Sequence, residues 1–181
     1  MRVVVVYESM YGNTRVIAEA IAGAFNPAEV AVLPVAHADP DALKGAGLLV
    51  VGAPTHAFGM SRAKTRQAAA DAARKPGSGL ALEPAALGRG VREWLDSLSL
   101  VGGTAAAFDT RIRVPFPSGH ASRGIGKLLR HRGYELLTRP QSFFVTKDNV
   151  LRPGEADRAR RWGEQLAARV SLDATRTDQP S

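Results

Sequence analysis

The sequence predicts a single three-layer α/β domain built on a parallel sheet. Two apolar runs, VVVVY at residues 3–7 and LLVVGA at residues 48–53, are continuous rather than alternating. Such runs fit strands covered on both faces. Helical periodicities alternate with the strands and no hairpin signal joins them, the pattern of a parallel sheet with helices on either side. At 181 residues the chain is long enough for one domain with a proper core and short for two.

The elements follow in order. After the first strand, Glu8 and Ser9 and then Gly12, Asn13 and Thr14 break the apolar run. From Thr14 a helix is expected, with Ile17, Ile21 and Phe25 recurring every fourth residue beside Ala18 and Ala22. Asn26-Pro27 stops it. Residues 29–33 read as a second strand and residues 48–53 as a third, which ends at Pro54. Ser61 is expected to cap an alanine-rich helix that runs to about Arg74. Residues 75–90, rich in Gly, Pro and Ala, form a loop excursion.

Val91, Trp94, Leu95 and Leu98 mark one face of a short helix, and residues 103–108 a small-residue strand. Residues 109–119 carry two prolines and are expected to be a loop. A basic helix over 121–132 buries Ile125, Leu128 and Leu129. Residues 134–137 and 142–145 form an interrupted last strand. Ala159, Trp162, Leu166 and Val170 face inward from a final helix over 158–170. The domain is thus expected over residues 1–170, with 171–181 a polar, disordered tail.

Composition narrows the chemistry. Cysteine is absent, which excludes disulfides, thiolate metal sites and a cysteine nucleophile. That suits a reducing cytoplasm, and no apolar run approaches membrane-spanning length. His37, His120 and His131 are scattered without metal-ligand spacing, so no metal site is expected. The 24 Lys and Arg against 17 Asp and Glu give a net charge of +7, which can steer anionic ligands or partners. The basic run over 123–132 lacks the interleaved aromatics of a base-stacking platform, which argues against nucleic acid.

The most informative segment is Ser9, Met10, Tyr11, Gly12, Asn13 and Thr14, joining a buried strand to a helix. A helix N-terminus offers unpaired N–H groups and the positive end of a dipole, which suits a phosphate. Ser9, Thr14 and Asn13 can add side-chain donors, and Gly12 permits positive φ or close backbone approach. The loop has neither the three glycines of a dinucleotide fingerprint nor the Gly-Lys-Ser/Thr ending of a P-loop. Its hydroxyls favour a terminal monophosphate. The competing reading is an ordinary turn capped by Thr14.

Here the chain resembles the flavodoxin family, whose phosphate loop reads Thr/Ser-x-Thr/Ser-Gly-x-Thr after the first strand. Tyr11 stands in place of the middle hydroxyl residue. The Ser-x-Tyr-Gly-Asn-Thr form is also similar to the loop of flavodoxin-like quinone reductases. The resemblance implies a five-stranded parallel sheet in order 2-1-3-4-5 and one FMN held non-covalently. It implies further that Pro54, Thr55, His56, Ala57, Phe58 and Gly59 face the flavin. Gly59 would supply a peptide that turns over on reduction, and His56 or Phe58 would cover one ring face. Phe108, Asp109, Thr110 and Arg111 would contact the outer flavin and pyrimidine. Many flavodoxins place a stacking tyrosine in this third loop. It is missing here, with Phe116 the available substitute.

Three functions are open from this reading. The first is an FMN-binding carrier that passes electrons between proteins. The second is an NAD(P)H-dependent reductase of quinones or similar acceptors, for which the excursion over 75–90 would add pocket wall. The third is a flavodoxin-fold module that binds no flavin. Arg111 and Arg113, two apart, are expected to face the same way at the site rim and to attract an anionic redox partner or a pyridine nucleotide.

Overall fold

The computed structural model describes residues 1–99, 102–114 and 119–177. Six strands, β1 (Arg2–Tyr7), β2 (Val30–Pro34), β3 (Ala46–Pro54), β4 (Gly103–Ile112), β5 (Tyr134–Leu136) and β6 (Gln141–Val145), form one parallel sheet. Its order is β2-β1-β3-β4-β5, with β6 also pairing β4. The interrupted last strand is therefore two strands on one neighbour. β5 pairs with Gly103–Ala105, whereas β6 pairs with Phe108–Ile112.

Four helices, α1 (Asn13–Ala22), α3 (Val91–Ser97), α4 (Ala121–His131) and α5 (Glu155–Thr177), cover the faces, and α2 (Ala63–Ala73) contributes no residue to either core. Successive strand residues point to opposite faces, so each continuous apolar run supplies two cores. Val3, Val5, Leu48 and Val50 pack with Ile17 and Ile21 of α1 and Trp162 and Leu166 of α5. Val4, Val6, Leu49 and Val51 pack with Trp94 and Leu95 of α3 and Ile125 and Leu129 of α4. Trp94 is fully buried and donates its Nε1–H to the Ala38 carbonyl at 2.7 Å. α5 continues past Val170 to Thr177; residues 178–181 of the expected tail lie outside the described residues.

Two local expectations are corrected. Asp109 to Ile112 extend β4 rather than opening a loop, because β6 continues the ladder beside them. Two of their polar side chains have interior partners: Asp109 accepts from Ser122 N at 2.8 Å, and Thr110 Oγ1 lies 2.7 Å from Thr14 Oγ1. Ser61 does not cap α2. It is fully buried and accepts a hydrogen bond from Arg66 Nη1 at 2.9 Å, while Thr65 Oγ1 accepts from Arg62 N at the helix start.

A close approach at the middle of the sheet locks the ends of β3 and β4 together. Phe108 is fully buried, with Phe143 and Trp162 edge-on to it at 6.1 and 6.3 Å between ring centroids. Its ring crosses over Gly52, where a Cβ would lie 2.0 Å from Phe108 Cζ. Only glycine leaves that space. Gly52→Ala should overpack the core and cost about 1–3 kcal/mol in urea denaturation. Adding Phe108→Leu should recover part of that loss, a non-additivity that independent sites would lack.

Candidate functional site

β1 ends at Tyr7, which lies opposite Gly52, itself opposite Phe108, while β3 and β4 run on to Pro54 and Ile112. The chain leaving each strand helps to line one cavity of about 220 Å³. Ser9, Met10, Tyr11, Asn13 and Thr14 line it from the first loop, and Pro54, Thr55 and His56 from the second. Thr110, Arg111 and Ile112 line it from the end of β4.

The first loop is built as an anion cradle. Gly12 sits in the left-handed region at φ 89°, turning the chain into α1, and its N–H donates to Ser9 Oγ at 3.0 Å. A Cβ there would be strained and would lie 3.2 Å from Glu83 Oε1. The first intrahelical bond runs from Val16 N to Gly12 O at 3.0 Å, and no side chain caps the helix. The N–H groups of Asn13, Thr14 and Arg15 thus precede the helix ladder and are available to a ligand. Thr14 is not a cap: Thr14 and Thr110 share one hydroxyl proton between them and retain one to donate. Ser9 accepts from Gly12 and likewise retains its proton.

Other groups of this loop serve as struts. Tyr11 donates its hydroxyl to the Ala69 carbonyl at 2.8 Å, and Asn13 Nδ2 donates to the Asn149 carbonyl at 2.7 Å. Ala69, Val145 and Asn149 also line the cavity, although the sequence reading did not single them out. Asn149 has φ 58°, so Asp148-Asn149 was legible as a turn after the last strand. What was not legible was its meeting with Asn13.

The second loop is a tight hairpin. His56 N donates to Gly59 O at 2.8 Å, and Gly59 N donates to His56 O at 3.0 Å, with Ala57 at φ 51° in the turn. Both backbone groups of Gly59 are thereby held, and the peptide left free of the hairpin bonds is Ala57–Phe58. His56 lines the cavity, whereas Phe58 is 78% exposed at the tip and does not. Gly119 packs against the Phe58 backbone, so the chain entering α4 braces the hairpin from outside.

The third loop departs most from expectation. Phe108 belongs to the core, and Asp109 is fully buried with its Oδ2 on Ser122 N at the start of α4, so neither faces the cavity. Thr110 and Arg111 do line it. Phe116, the expected substitute for a stacking tyrosine, lies outside the described residues. His120 is held below its ordinary pKa by burial and by the nearby Arg111 and Arg123 cations.

Beneath the first two loops lies a buried polar cluster. Glu8 Oε2 accepts from Val91 N at 2.9 Å, beside Ser61 and Arg66. Arg66 is itself buried and reaches Glu93 at 3.2 Å. Burial pushes the Glu8 carboxyl up despite its hydrogen bonds to Ser61 and Val91. Burial and then the Arg66 cation hold His56 low, so it is neutral near pH 7.

The excursion over 75–90 does not add wall to the cavity. Its Glu83 N donates to Met10 O at 2.8 Å, and Glu83 Oε1 meets Arg15 Nε at 3.1 Å. It braces the first loop from behind.

A family model described as flavodoxin matches residues 5–96, from the first strand through α3. The chain belongs to the flavodoxin family. Its fold is similar to a flavodoxin from the domain Archaea, with 22% identity, a TM-score of 0.63, and coverage of 94% of this chain and 99% of that one. Flavodoxin 2 from Bacillus cereus is similar at 17% identity and a TM-score of 0.62, covering 93% of this chain and 99% of that one. A flavodoxin, WrbA-like protein from Agrobacterium tumefaciens follows at 21% and 0.60, covering 94% and 98%. No curated protein matches the chain.

Flavodoxin family proteins bind FMN. The donors at the start of α1 fit its phosphate, and the cavity between the first two loops lies where this fold takes its ligand. Among the described residues, no group of three or more His, Asp or Glu could hold a metal, and no helix is long and apolar enough to cross a membrane.

The Glu8 carboxyl carries a pH signature. Its folded pKa lies above the unfolded one, so its stabilising contribution is complete below pH 4.5 and is lost as pH rises through the folded value. Glu8→Gln keeps an acceptor for Val91 N and cannot ionise. Its thermal midpoint should gain on that of the wild type as pH rises above 4.5. A gap that does not change with pH would show that Glu8 does not titrate in this window.

Proposed function

We propose that this chain is an FMN-binding redox protein that passes electrons between protein partners. One observation carries the reading. The hydroxyl-bearing loop at the start of α1 and the hairpin after β3 face one cavity beyond the ends of β1 and β3. When bound, FMN supplies the electron chemistry, and the chain supplies binding, orientation and electrostatics.

In this reading Ser9, Thr14 and the N–H groups of Asn13 and Thr14 hold the phosphate. Their charge-assisted bonds are stronger than neutral ones and cost little to organise, because Tyr11, Asn13 and Glu83 already fix the loop. Pro54, Thr55 and His56 line the flavin side, with the neutral His56 imidazole able to donate or accept. No side chain is required as an acid or base. The carrier reading is favoured over a nucleotide-dependent reductase because the excursion over 75–90 packs behind the phosphate loop and lines none of the cavity.

FMN titration, followed by flavin absorbance and fluorescence quenching, tests the assignment. Binding should approach one FMN per chain, and riboflavin, lacking the phosphate, should bind clearly more weakly. Ser9→Ala and Thr14→Ala should each weaken FMN by about 1.5–3 kcal/mol, roughly tenfold or more. Equal binding of FMN and riboflavin would remove the phosphate from this loop.

A further inference from the structure

The rim of the cavity is predominantly cationic. Segments 54–62, 110–114 and 145–154 bear Arg62, Arg111, Arg113, Lys147 and Arg152, against Asp148 as the acidic residue. Arg111 and Phe144 are register partners across β4 and β6. The guanidiniums of Arg111 and Arg113 lie 5.3 and 5.6 Å from the Phe144 ring centroid, so both cations rest on one aromatic shelf. Arg158 also reaches that ring at 5.6 Å, but Glu155 pairs with it.

The carboxylate beside the ring is Glu155, whose Oε2 accepts from Phe144 N at 2.8 Å and which pairs with Arg158. Neither Arg111 nor Arg113 forms an ion pair among the described residues, and Arg111 Nε and Nη1 are buried without a hydrogen-bond partner. Asp109, two residues away on β4, is buried and bonded to Ser122 N.

The same three segments each expose one large apolar side chain: Phe58 at 78%, Val114 at 45% and Val150 at 60%. Apolar groups set among cations at a cavity mouth are a poor fit to a small anion, which would leave them in water. They fit a protein face that has carboxylates around an apolar centre.

We propose that this rim is the docking surface for an electron-transfer protein with an acidic face, with Arg113 and Arg152 as steering charges and Phe58 and Val150 as apolar contacts. The proposal rests on the FMN reading above, since docking here is useful only if the cavity holds a redox group. Long-range attraction raises encounter rates at low salt and fades as salt screens it.

The test uses protein loaded with FMN and reduced with dithionite, then oxidised in a stopped-flow instrument by hexacyanoferrate(III) or hexaammineruthenium(III). Each complex takes up one electron and differs from the other in the sign of its charge. Oxidation by the anion should slow as salt rises, and oxidation by the cation should speed up. Arg113→Glu/Arg152→Glu should slow the anion roughly fivefold to tenfold at low salt and flatten both salt dependences. FMN affinity should not change, because neither residue lines the cavity.

A second readout needs no flavin. Hexaglutamate titrated into 15N-labelled protein should shift resonances around residues 111–113, 58 and 150. Shifts gathered instead on the outer face of α4, at Arg123, Lys127 and Arg130, would overturn the assignment. An unaltered salt dependence in the charge-reversed variant would do the same. Rapid reduction by NADPH that Phe58→Ser leaves untouched would make a nucleotide the occupant and the proposal wrong. Failure of FMN to bind, read separately from its absorbance, would remove the redox reading and the docking role with it. A localised hexaglutamate response would then mark the rim as an acidic-ligand surface without a redox task.

Discussion

The register that aligns β1, β3 and β4 is the constraint on which the site depends. Their registers set Tyr7, Gly52 and Phe108 in one row, and the chain turns into its functional loops just beyond. The row is held by backbone ladders and by a single steric fact, the Phe108 ring lying across Gly52. A side chain at Gly52 would push the aromatic cluster of Phe108, Phe143 and Trp162 outward. β6 would move with Phe143, and with β6 the turn whose Asn149 carbonyl holds Asn13. Core packing and cradle geometry are therefore coupled through one glycine, although neither Gly52 nor Phe108 lines the cavity.

Beyond that row the molecule keeps polar groups buried where the strands end. Glu8, Thr14, Ser61, Arg66, Asp109 and Thr110 are all buried. Each unmade hydrogen bond there would cost about 1–3 kcal/mol, so the partners are spread across elements. Glu8 ties β1 to α3, Asp109 ties β4 to α4, and Thr110 ties β4 to α1. The consequence is a set of loops whose backbones are already positioned before any ligand arrives, which lowers the ordering cost of binding.

The same distribution explains what could be read in advance. The buried runs at 3–7 and 48–53 and the helical faces of Ile17, Ile21, Trp94 and Trp162 were legible because burial writes itself as periodicity. The first loop was legible because a strand, hydroxyls, glycine and a helix follow one another within a few residues. The end of β4 was not: Asp109 and Thr110 read as loop residues, and only Ser122 and Thr14, distant in sequence, make them strand residues. Ser61 was misread for the same reason, since its partner Arg66 is called into the interior by Glu93. Excursion 75–90 showed its flexible composition but not that Glu83 would brace Met10 and Arg15.

Charge is divided between the two sides of the cavity. Beside the first loop Arg15 is already paired with Glu19 and Glu83 at 3.1 Å, so the donors facing the cavity there are neutral N–H and O–H groups. On the opposite rim Arg111 and Arg113 carry uncompensated charge on Phe144. A dianionic phosphate bound at the first loop would keep most of its own negative potential, whereas a formal cation at the same place would cancel it. The cations at the rim instead act on what approaches from solvent. Two unpaired positive charges near each other repel, at a cost that solvent and salt reduce. The fold bears this cost through cation–π contact with one ring rather than by recruiting a carboxylate. Recruiting one would remove the repulsion and the outward field together, so the unpaired arrangement retains a positive field facing solvent at the mouth of the cavity.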